Sequence, residues 1–152
     1  MNNLKEQKLN NKGFSLVELI IVIAIMAVLI GVLAPQYLKY VEKSRQSADL
    51  DTVDSMVSAI EIYSADPANN IVSGTITCNA SGDVTADANT LAALQDAGLA
   101  ASTATTATVL TTMKSNAYKD WTITFGTDSN NNPVVTFGGN NGGDLGTAMG
   151  RN

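Results

Sequence analysis

The stretch from Phe14 to Ala34 constrains this chain more than any other: 21 residues in which only Ser15 and Glu18 are polar. From Leu19 onward the run has no polar side chain at all. As an α-helix it would cover about 31 Å, close to the roughly 30 Å hydrocarbon thickness of a bilayer. Lys5, Lys8 and Lys12, against the single acid Glu6, precede it. That bias predicts a short cytoplasmic N-terminus, with everything after the run on the far side of the membrane. A removable secretory signal has an apolar stretch of about 7–15 residues and a small-residue cleavage site behind it. Here the run is longer and is followed by "PQYLKYVEKSRQ", which has no A-x-A site, so cleavage behind the run is not expected.

The rest of the 152 residues is enough for one ordinary domain, rich in Thr, Ala, Asn, Gly and Ser like a secreted surface domain. Histidine is absent, which removes Ser-His-Asp and Cys-His catalysis and every His-ligated metal site. Cys78 is the one cysteine, so no disulfide within the chain is possible; its place in "IVSGTITC" predicts a packed thiol on a strand. After Gly13 there are 6 basic side chains against 13 acidic ones, a balance that repels phosphates, and no nucleic-acid interface is expected. No catalytic constellation, cofactor motif or metal site emerges, and the chain reads as a non-enzyme.

Beyond Ala34 the apolar pattern turns periodic. Val53, Met56, Val57, Ile60 and Tyr63 or Ser64 follow i, i+3, i+4, i+7, the signature of a helix with one buried stripe. Tyr37, Val41, Ser44 and Ala48 continue a narrower face upstream. No Gly or Pro interrupts residues 36–66, and "ADPANN" ends the pattern, so one helix of about 78 Å is predicted from Phe14 to about Ala65. Pro35 deletes the amide that would bond the Gly31 carbonyl; the pair marks a possible bend or stretch that unwinds. Then come β signals: "NIVSGTITC", a "NASGD" turn toward Val84, and "WTITF" and "PVVTF" joined by "GTDSNNN" as a hairpin. "DANTLAALQDAG" predicts a short helix capped by Asp87 or Asn89, with Leu91 and Leu94 inward and Gly98 as its stop. Residues 100–120 remain open between loop and short helix, and "GGNNGGDLGTAMGRN" reads as irregular. "YVEKSRQSADLD" reads as a mixed, solvated helix face suited to contact between neighbouring heads.

Glu18 is the acid inside the apolar run. A carboxylate in lipid is costly and is usually kept for a partner. If an amino terminus stood at Phe14, the Glu18 of one helix could meet the amino group of a staggered neighbour and fix their register. The alternative is an acid at the headgroup level, merely solvated.

Lys12-Gly13, then Phe14-Ser15-Leu16-Val17-Glu18-Leu19, a long apolar run and Pro35 together resemble the prepilin signature of type IV pilins and pseudopilins. The resemblance is sharp over residues 12–35 and continues beyond as architecture. It implies an α+β pilin fold: a long N-terminal helix whose C-terminal half packs on an antiparallel β-sheet. It implies a leader, 1–13, removed after Gly13 by a prepilin peptidase, with N-methylation of Phe14. Residues 14–35 would form the transmembrane, later filament-core, half-helix, and 36–152 the globular head. Glu18 with Phe14 would serve assembly, and the helix near Gly31 and Pro35 would melt partly in the filament. The implied partners are identical subunits in a helical filament, the assembly ATPase, the platform membrane protein and, before assembly, the cytoplasmic membrane. The implied product is an extracellular pilus for adhesion, aggregation or surface motility, this chain being a major subunit. A pseudopilin of a type II secretion or DNA-uptake system is the alternative within the family; a membrane-anchored extracytoplasmic binding domain is the alternative outside it. Many members close a C-terminal loop with a disulfide, which Cys78 alone cannot do, so strand pairing or packing must hold that edge.

Two weaker motifs point to no site. "DSNNN" at 128–132 has a calcium-loop spacing, but Pro133 and Gly139 stand where an EF-hand needs Gly and Glu, so a plain hairpin turn is expected. Asn79 begins an N-x-S triplet in a turn, with modification not expected.

Overall fold

The structure, a computed structural model, describes residues 13–69, 73–129 and 132–151. A boundary between two compact units falls after Tyr40. Helix α1 runs from Leu16 to Ala65, the predicted long helix starting two residues late, and it is continuous through Gly31 and Pro35. In the first unit every described side chain is exposed, and the helix carries an 18-residue window of mean hydropathy 3.1, long and apolar enough to cross a membrane.

The second unit is an α+β head. After a 3-10 turn at Pro67–Asn69 come β1 (Gly74–Cys78), β2 (Asp83–Ala86), α2 (Ala88–Asp96), β3 (Thr111–Thr112), β4 (Trp121–Thr127), β5 (Pro133–Gly139) and α3 (Gly142–Ala148). The strands form one antiparallel sheet in the order β3-β2-β1-β4-β5. Alternation decides which face is covered. Trp121, Ile123 and Phe125 of β4 are buried, as are Ile76 and Cys78 of β1, while Thr77 and Thr124 face out. Against them lie Val53, Met56, Val57 and Ile60 of α1, the stripe read from the sequence, each buried. Full burial of each such side chain stabilises by about 1.5–3 kcal/mol.

Helix α2 begins where expected: the Asp87 side chain accepts from the Thr90 amide at 2.9 Å, and Leu91 and Leu94 are buried. Gly98, just past its end, has φ +72°, a conformation that favours glycine. Residues 100–120 carry the short edge strand β3, whose flanks bond to β2 and its turn through Leu110 N to Val84 O and Met113 N to Gly82 O.

The Gly/Asn-rich tail corrects the sequence expectation. It is not irregular: β5 extends to Gly139, and residues 142–148 form α3 with Leu145 fully buried. Gly139, Gly142 and Gly146 mark close approach in place of looseness. A Cβ at Gly139, where φ is +87°, would lie 2.7 Å from the Trp121 Cα, and one at Gly146 would meet Phe137 and the Arg151 carbonyl. The tail ends on α1: Arg151 forms an ion pair with Glu61, lies 3.8 Å from Asp54, and its amide donates to the Gly146 carbonyl at 2.8 Å. Packing and an ion pair thus hold the C-terminal edge, which Cys78 cannot close with a disulfide. Leu145→Ala should cost about 2–5 kcal/mol, read as a lowered urea midpoint in the fluorescence of Trp121, the sole and buried tryptophan.

Candidate functional site

The first turn of α1 is built by Ser15 and Glu18. Ser15 stands immediately before the helix, and its carbonyl accepts the first helical bond from Leu19 N at 3.2 Å. The Glu18 carboxylate reaches back and accepts the Ser15 amide at 2.9 Å, and the Val17 amide points at Ser15 Oγ, 3.4 Å away. This is a capping box, S-x-x-E, in which the glutamate satisfies an amide that the helix leaves unpaired. A negative side chain here also meets the positive end of the helix dipole. The Ser15/Glu18 spacing announced this pairing, yet the sequence reading took Glu18 only as an intermolecular or solvated acid. Its carboxylate is therefore held one residue from Phe14, which is 94% exposed. Around Gly13 nothing lies within 4 Å of where a Cβ would stand, and the same holds at Gly31. Among the described residues, no packing contact accounts for glycine at either position.

A second cluster went unrecognised in the sequence. Asp49 is buried on α1 and accepts the Lys114 amide at 3.0 and 3.1 Å and the Ser115 amide at 2.6 Å. Two turns earlier, Glu42 accepts the Ser115 hydroxyl at 2.8 Å and the Asn116 amide at 3.0 Å. Two carboxylates thus carry the amides of a loop that has no strand partner there. Within the segment 40–51, Lys43, Arg45 and Asp51 are exposed as expected of a solvated face, whereas Glu42 and Asp49 are turned to this loop. Of the predicted upstream face, Ser44 and Ala48 are exposed and Val41 half-buried. The signal was available: Asp49 stands four before Val53 and seven before Met56, squarely on the buried stripe.

The Ser115 hydroxyl first, and then the Asn116 amide, hold the Glu42 carboxyl below its ordinary value of 4.5. Burial pushes the Cys78 thiol up, away from the reactive thiolate form. Asp128 and Asn132 bond each other across the hairpin loop, through Asn132 N to Asp128 Oδ1 at 2.8 Å, and residues 130–131 of the "DSNNN" motif lie outside the described residues. Among the described residues, no group of three potential metal ligands comes together. A depressed Glu42 contributes stability that is present above pH 4.5 and is lost as pH falls through its lower folded value. Glu42→Gln should therefore flatten the acid side of the stability–pH curve, as read by urea midpoints between about pH 3 and 7.

A family model described as the prokaryotic N-terminal methylation motif matches residues 8–34, a span that contains Gly13, Phe14 and Glu18. Fimbrial protein EcpC of Eikenella corrodens is 37% identical over 67 residues, 41% of this chain and 44% of that protein. Type IV major fimbrial protein FimA of Dichelobacter nodosus is 42% identical over 50 residues, 33% of this chain and 32% of that protein. The matched stretch thus spans less than half the length of these curated relatives. No solved structure matches the chain. The N-terminal segment of this chain thus carries the methylation motif, and part of the chain is similar to these fimbrial proteins.

Proposed function

We propose that this protein is a structural subunit, and not an enzyme, of a type IV pilus. The observation that carries the reading is the methylation-motif match over 8–34 on a helix whose apolar half is exposed on every side. Such a surface is stable only in lipid or against other apolar helices. Residues 1–13 are the leader, cut after Gly13 by a prepilin peptidase, and Phe14 is the methylated new terminus. The segment 14–35 anchors the subunit in the cytoplasmic membrane and then packs into the core of an extracellular filament. Residues 36–152 carry the head, and Gly31 and Pro35 mark the place where the helix yields on packing. The assembly ATPase and the platform membrane protein drive polymerisation, and the filament serves adhesion, aggregation or motility as its major subunit.

Glu18 has two roles to separate: the helix cap and the charge that meets a neighbour's amino terminus. Glutamine can still accept the Ser15 amide but carries no charge. Protein sheared from cells should begin at Phe14, carry one extra methyl group and pellet as filament, as read by mass and N-terminal sequencing. Glu18→Ala and Glu18→Gln should both be inserted and cleaved yet lose most filament yield. Normal yield from Glu18→Gln with loss in Glu18→Ala would reduce Glu18 to a cap. A retained Met1 on a membrane-bound protein would overturn the pilus reading.

A further inference from the structure

The second unit holds 12 acidic side chains and only 5 basic ones: Lys43, Arg45, Lys114, Lys119 and Arg151. Arg151 is committed to Glu61 and Asp54. Arg45 and Lys119 both act on the Glu42 carboxylate, and Lys43, exposed, follows Glu42 on α1. Three of the five cations of an otherwise acidic head thus stand near the start of its part of α1, two of them on the helix itself. Further along the same helix, Asp51 and Asp54 are exposed on the outer face. Asp51 also rims a shallow groove of about 350 Å³. Its lining is Thr52, Ser55, Met56, Leu99, Leu110 and Thr111. Leu99 and Leu110 stand in this lining among Thr52, Ser55 and Thr111, and with a carboxylate at the edge it suits a lysine or arginine, stem on the leucines and charge at the rim.

We propose that Lys43 of one subunit seats in this groove on a parallel second copy and pairs with Asp51 there. The inference rests on the filament reading, and it adds a head contact to it. Lys43 stands eight residues before Asp51, about 12 Å along an α-helix. Copies inserted from the same side lie parallel, so a stagger of about that length sets the lysine of one against the aspartate of the next. The sense is that of the amino group at Phe14 and Glu18, where the cation also precedes the acid in the chain. The two pairs thus select the same direction of slip. One exposed pair contributes little by itself, but a filament repeats it at every subunit.

The test compares sheared filament yield from the full chain, wild type, Lys43→Glu, Asp51→Lys and the double variant. Trp121 fluorescence checks that each head is folded; both positions are exposed, so folding should survive. At about 0.05 M NaCl each single variant should lose yield several-fold, and the double variant should regain it. At about 0.5 M NaCl the differences should shrink below about twofold. Single variants that assemble normally, or a double variant that stays as poor as the singles, would overturn the contact. Loss in Lys43→Glu with a normal Asp51→Lys would overturn it too, since the cation would then meet some other anion, such as a lipid headgroup. Wild-type filaments give a second readout, because subunit shedding should rise with salt; filaments indifferent to salt would overturn the contact whatever the variants do. If wild-type protein never reaches a cleaved, pelletable form, the filament reading itself fails, and this contact fails with it.

Discussion

The head depends on one act of burial, the stripe Val53–Met56–Val57–Ile60 of α1 against the inner face of a twisted antiparallel sheet. A five-stranded sheet of short strands with one apolar face cannot stand alone in water, and a lone amphipathic helix cannot either. Each supplies what the other lacks. Everything else in the head is arranged around that contact: α2 and α3 close its margins with Leu91, Leu94 and Leu145, and the Arg151 ion pair ties the tail to the helix at Glu61. A sole free cysteine packed among these residues is one more small apolar group, held protonated by its burial.

Polar groups complete the head where strands run out. The loop after β3 has backbone amides and no sheet neighbour for them, and an unpaired buried amide costs about as much as a lost hydrogen bond. Asp49 and Glu42 take up those amides from the helix side. Several amides accepted together are how a carboxylate can be buried on an otherwise apolar stripe. The same device appears at small scale in the first turn of α1, where Glu18 satisfies the Ser15 amide. In the apolar half of α1 the described side chains are exposed, and the hydrophobic effect favours their burial in lipid or against other apolar surfaces.

How much of this was legible depended on the range of the interaction concerned. The long helix, the stripe, the Asp87 cap, the Gly98 stop and the β4–β5 hairpin all rest on residues within one or two turns or one loop of each other. Periodicity and capping chemistry display such relations directly. The Ser15–Glu18 capping box was equally local and was overlooked because the acid inside an apolar run drew attention to lipid first. The tail misled because Gly and Asn are breakers by propensity. In the fold they are needed for another reason: Gly139 lets the backbone of β5 pass Trp121, and Gly146 lets α3 settle on Phe137.

By itself, then, the sequence determined a membrane-length apolar helix with a capped start, a second amphipathic half, and a strand-rich remainder that lacks the residues for histidine chemistry. These follow from composition and short-range pattern, because a 3.6-residue or two-residue period exposes which faces seek burial. Only the tertiary structure decided which strands are neighbours, that Asp49 turns inward to hold residues 65 positions away, and that Arg151 closes the tail on Glu61. Those pairings join residues far apart in the chain. Their partners are chosen by how the layers pack, and no local pattern records that choice.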